Sequence, residues 1–91
     1  MRAIQIALKV GCRNSNCPVD IDTIYIKGER LDGFYKKETV YDYVRDHSRS
    51  IQVDLFPNPD LLPALTDTGE KYVVSAKDER SVDYLMRLPR A

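Results

Sequence analysis

Cys12 and Cys17 lie five apart in the polar segment Gly-Cys-Arg-Asn-Ser-Asn-Cys-Pro at 11–18. Paired thiolates near this spacing are the usual start of a structural zinc site, which takes four ligands. The chain offers a single histidine, His47, and no third cysteine. Only a zinc shared between two copies would gather four thiolates from Cys12 and Cys17. A loop of this kind could also close into a disulfide or a redox pair, although a reducing compartment disfavours that bond. The third alternative is two reduced thiols without a chemical role.

Other chemistry-bearing types are sparse. His47 falls at the end of a predicted helix, where the helix dipole favours an imidazolium without any catalytic purpose. General-base work would need a polar partner within reach, and no spacing places one. Asp20 and Asp22 share one face of a predicted strand. They could hold a divalent cation or belong to a solvated strand face. Gly28 and Gly33 lack the lysine and hydroxyl pair of a phosphate loop, and no Gly-x-Ser-x-Gly turn occurs. The expectation is a protein that is not an enzyme and takes no cofactor.

The tyrosines are more suggestive. There are six and no tryptophan. Tyr35, Tyr41 and Tyr43 cluster with Lys36, Lys37, Arg45 and Arg49, and Tyr84 lies between Arg80 and Arg87. Aromatic rings interleaved with cations can stack bases, and tyrosine is enriched at protein interfaces. These ten residues form the expected binding surface. Some of the rings could instead be core or rim residues with the hydroxyl at the surface.

The composition frames these options. Ninety-one residues make one domain, 1–91. Fourteen basic residues balance fourteen acidic ones, and the pI is near 6.6. No global field draws the chain to nucleic acid or anionic lipid, and little net charge opposes self-association. No apolar run approaches the ~20 residues of a membrane span. No signal-peptide pattern is present. A cytoplasmic, non-membrane protein is expected.

The elements follow from periodicity. Ile4, Ile6, Leu8 and Val10 alternate with polar residues and predict a strand over 2–10 with these four side chains on one face. Val19 to Lys27 predicts a second strand, followed by a turn bracketed by Gly28 and Gly33. Val40, Tyr43, Val44 and His47 share a face of an amphipathic helix at about 36–47, whose start lacks a preferred capping residue. Ile51, Val53 and Leu55 predict a strand that ends in Phe56-Pro57-Asn58-Pro59. Leu61–Leu65 reads as a helical turn or as an edge strand broken by Pro63. Tyr72–Val74 predicts a further strand. Leu85 and Leu88 should dock the C-terminal tail on the sheet. The fold class is α+β: a small, mostly antiparallel sheet of four or five strands, in the order strand, strand, helix, strand, strand.

Residues 72–89 carry a more specific pattern. Tyr72, Ser75, Asp78, Asp83, Leu85, Leu88 and Pro89 fall in register with a Tyr-x-x-Thr strand, an Asp and an Asp-Asn-Leu-Leu-x-Leu-Pro ending. The chain thereby resembles a family of small bacterial and phage-associated domains of unknown function. Ser75 replaces the Thr, Tyr84 the Asn and Met86 a Leu. The helix lacks the Ser or Thr that precedes it in the family. The resemblance implies a compact single domain and carries over no catalytic residue.

The expected function is a small interaction module that self-associates or binds a partner protein, with a homodimer formed at an open strand edge as the first expectation. The alternative is a domain that binds a small ligand or nucleic acid on the Tyr/Arg surface, such as a phage-encoded modulator.

Overall fold

The computed structural model describes residues 1–76 and 83–91. The chain runs β1 (Arg2–Leu8), a 3-10 turn (Pro18–Asp20), β2 (Ile21–Lys27), β3 (Asp32–Lys36), α1 (Lys37–Asp46), β4 (Gln52–Val53), β5 (Leu61–Leu65), β6 (Lys71–Ser75) and a 3-10 turn (Tyr84–Arg87). The α+β class is as expected. The strands divide into two sheets, one of four strands in the order β3-β2-β1-β4 and one of two, β5-β6. All pairings are antiparallel except β1 with β4, which is parallel.

The predicted face of β1 is corrected. Ala3 and Ile6 are the fully buried residues, and Ile4 and Leu8 are only half-buried. The register with β2 shifts between Ala3 and Gln5. This extra residue in one strand exchanges the two faces, as a β-bulge does. Val10 lies beyond the strand and is fully exposed. Asp20 and Asp22 are also separated. Asp20 ends the 3-10 turn and accepts from Ser15 Oγ at 2.6 Å, while Asp22 is exposed on β2.

The turn after β2 is shorter than expected, because a strand, β3, starts at Asp32. Each β3 residue faces a β2 residue, from Lys27↔Asp32 to Thr23↔Lys36. Leu61–Leu65 proves to be a strand. Its Pro63 suits the margin of a two-stranded sheet, where a missing donor costs nothing.

α1 begins without a side-chain cap. Val40, Tyr41 and Val44 are buried, and the helix packs against β5 and β6 as well as β2 and β3. These residues join Ala3, Ile6, Ile21, Ile24, Ile26, Ile51, Val53, Leu61 and Val73 in one core. Burying each of the valine, leucine and isoleucine side chains contributes about 1.5–3 kcal/mol.

The tail docks as expected. Leu85 is fully buried and Leu88 nearly so. Asp83 Oδ1 accepts from Ser75 Oγ at 2.8 Å and from the Leu85 N–H at 3.0 Å, tying β6 to the start of the last turn. Ile6 then bonds both Pro89 O, at 3.0 Å, and the Ala91 N–H, at 2.8 Å. The tail and β4 together therefore cover the edge of β1 that β2 does not.

Candidate interaction surface

With β1 closed on both sides, β3 is the open edge of the four-stranded sheet. β2 pairs with one of its edges, and among the described residues no strand pairs with the other. Its residues alternate between the faces of the sheet. Tyr35 faces inward, opposite the buried Ile24. Asp32, Phe34 and Lys36 face outward.

The inward face opens into a cleft of about 290 Å3 between β3 and α1. Leu31, Tyr35, Thr39, Tyr43 and His47 form most of its wall, with Asp42 and Asp46 at the rim. Tyr43 and His47 are one helical turn apart and stack with ring centroids 4.6 Å apart. His47 Nδ1 lies 3.2 Å from Tyr43 O, where α1 ends. The cleft is at the small end of the range for ligand pockets, about 300–1,000 Å3. Both carboxylates are already engaged. Asp42 accepts from Lys71 Nζ at 2.9 Å and Asp46 from Arg45 Nε at 3.2 Å. The Arg45 guanidinium, bonded first to Asp46, holds its proton more tightly than usual.

A second cleft of about 390 Å3 lies across Tyr43, lined by Met1, Gly28, Glu29 and Arg30. Gly28 permits the close approach of Met1, whose side chain would collide with a Cβ at that position.

The expected Tyr/Arg surface is dispersed. Tyr35 and Tyr43 do meet, in the first cleft. Lys36 is exposed on the opposite face. Three expectations are corrected by burial. Lys37 is 2% exposed, and Nζ donates to Val19 O and Glu70 Oε2. Tyr41 is buried against the second sheet, with Lys71 Nζ 5.4 Å and the Arg45 guanidinium 5.9 Å from its ring centre. Tyr84 is buried in the docked tail. None of the three is presented to a partner. Arg49 and Arg87 are exposed on separate segments, and Arg80 lies outside the described residues.

Cys12 and Cys17 are free thiols in the 11–18 loop, Cys17 exposed and Cys12 half-buried. Ser15 Oγ accepts the Cys17 N–H at 3.0 Å. Among the described residues no three His, Cys, Asp or Glu side chains gather as a metal-binding group.

The outward face carries the residues that the periodicity left unnoticed. Tyr25 lies directly opposite Phe34. The two rings meet edge to face at 5.1 Å, and Phe34 stays 45% exposed. Tyr25 OH donates to Asp32 Oδ1 at 2.6 Å, which makes the phenol harder to ionise. The alternation of Ile24, Tyr25 and Ile26 held a signal for Tyr25. Phe34 had none once 28–33 was read as turn.

Among known proteins, no family model, no curated sequence and no solved structure matches this chain.

Proposed function

We propose that this protein is a non-enzymatic interaction module whose first partner is a second copy of itself, joined edge to edge through β3. The observation that carries this reading is the open edge itself, together with the order Asp32-Gly33-Phe34-Tyr35-Lys36 along it. An antiparallel pair of β3 strands centred on Phe34 is self-complementary, as a two-fold interface must be. Asp32 of each copy faces Lys36 of the other, and Phe34 faces Phe34. Tyr35 faces Gly33, where a Cβ would meet nothing within 4 Å. Opposite-charge and aromatic cross-strand pairs each contribute roughly 0.2–1 kcal/mol.

Several features support the same direction. A net charge of zero leaves no long-range repulsion between copies. The margin strand of the smaller sheet carries Pro63, a residue that discourages pairing, whereas β3 carries no proline. The Tyr72 to Pro89 pattern supports a place among the small bacterial and phage-associated domains it resembles. No helix among the described residues is long and apolar enough to cross a membrane.

Five paired residues a side fall well short of the ~1,200 Å2 that stable interfaces bury, so the dimer is a weak one, of micromolar Kd or above. Sedimentation velocity over a dilution series tests this. The expected result is a reversible shift from 10.5 kDa toward twice that mass as concentration rises. A species that stays at the monomer mass at the highest concentration would reject self-pairing and leave a foreign strand as the partner of the edge.

A further inference from the structure

The outward face of the four-stranded sheet is ordered across its strands. The register aligns its side chains in three rows across the strands. The first runs Gln52, Arg2, Lys27, Asp32, and the second Gln5, Tyr25, Phe34. The third runs Ala7, Thr23, Lys36. A hydrogen-bonding amide and two aromatic rings thus form the middle row, with cations on both sides.

Arg2 and Lys27 are direct cross-strand neighbours. Like charges in that relation destabilise a sheet. Neither they nor Lys36 take part in an ion pair among the described residues. Asp32, opposite Lys27 at the end of their row, is the one carboxylate there and also accepts from Tyr25 OH at 2.6 Å, so the row keeps an excess of positive charge. At the other end Gln52 Nε2 donates to Asp60 Oδ1 at 2.8 Å. Cations in excess, beside a half-buried Tyr25 and an exposed Phe34, suit an anionic ligand that also has flat apolar faces.

We infer that this face binds single-stranded nucleic acid. Bases would stack on Phe34 and Tyr25, phosphates would lie against Arg2 and Lys27 on one side and Lys36 on the other, and Gln5 could read a base edge. Stacking platforms of this kind are tolerant of sequence because every base has a π-face, and an open sheet is a suitable surface for unstacked bases. A duplex hides its base faces and would engage only the cations. The site differs from the Tyr/Arg surface expected near the helix and the tail. It is present in one copy, so it does not depend on pairing through β3, although that pairing would continue the aromatic row from one sheet into the next.

Fluorescence anisotropy with labelled oligouridylate and oligothymidylate of about 12 nucleotides, titrated with the whole protein at about 50 mM and about 200 mM salt, tests the inference. Binding to one or both single strands, weakening steeply with salt, is expected, with a duplex of the same length bound more weakly. Phe34→Leu, which keeps an apolar strand residue but removes the ring, should weaken binding about 10-fold or more. Lys27→Glu should abolish most of it and leave the sedimentation of the protein unchanged, since Lys27 is not on the open edge. Absence of single-strand binding at low salt would overturn the inference. So would binding that Phe34→Leu leaves unaltered, or equal affinity for the duplex, because either makes the face a charge patch only. A protein that binds the oligonucleotides and never dimerises would reject the β3 pairing while sustaining this site.

Discussion

Lys37 and Glu70 join α1 to the second sheet, the buried lysine ammonium at the start of α1 donating to Oε2 of the half-exposed Glu70 in the β5–β6 turn. Lys9 Nζ donates to the same oxygen at 2.8 Å from beyond the end of β1. One carboxylate thus links the end of the larger sheet, the helix and the smaller sheet. It also answers an unfavourable local field, since a cation in a helix's first turn opposes the dipole.

The bonds from Lys37 and then Lys9 hold the Glu70 carboxyl down at about 2, against an ordinary value of 4.5. A carboxyl with a lowered folded-state pKa stabilises the fold fully above its unfolded value and loses that contribution as pH falls through the folded one. Stability should therefore drop between about pH 4.5 and pH 2. In Glu70→Gln this part of the acid limb should be flatter, as read by urea midpoints at successive pH values. An unchanged slope would show that other carboxyls govern the acid transition.

Asp83 is the acceptor that secures the tail, receiving both Ser75 Oγ and the Leu85 N–H. Loss of a capping acceptor costs about 0.5–2 kcal/mol. Asp83→Ala should lower stability by this amount and hasten proteolysis near the C-terminus. Asp83→Asn, which retains an acceptor, should recover part of the loss.

Leu85 anchors the same tail by burial alone. Leu85→Ala should cost about 2–5 kcal/mol in denaturant unfolding, the usual range for a truncated core leucine. A loss under about 1 kcal/mol would mean that the tail is not part of the cooperative core.

Gly69 closes the β5–β6 turn with φ +86°, and its N–H donates to Thr66 O at 3.0 Å. An L side chain in that conformation is strained by about 1–2 kcal/mol. Gly69→Ala should destabilise by that much even though a Cβ there meets no neighbour. Urea unfolding of the pair measures it.

The helix was legible because its period repeats over three turns: Val40 and Val44 mark a face that the structure buries. The tail was legible from Leu85 and Leu88. β3 was hidden because Asp32-Gly33-Phe34-Tyr35-Lys36 has turn residues at its start and too few alternations to show a period. The face of β1 was misplaced by a bulge, which adds one residue and leaves no mark in hydropathy. The proposed binding face was hardest to foresee. Lys37 and Tyr41 look like any other cation and ring in sequence. Their burial follows from Glu70 and the second sheet, which lie about 30 positions further on. Tyr25 and Phe34 become one platform only through a strand register.

The self-pairing of β3 is tested most directly by exchanging its charges. In sedimentation equilibrium, Asp32→Lys alone and Lys36→Asp alone should each weaken the dimer about 10-fold or more, because two cross-strand attractions become two repulsions. The double exchange, Asp32→Lys with Lys36→Asp, should restore dimerisation to near the original strength. If the two single variants and the double variant all associate alike, the β3 edges do not meet, and the account of this protein as a self-pairing module is wrong.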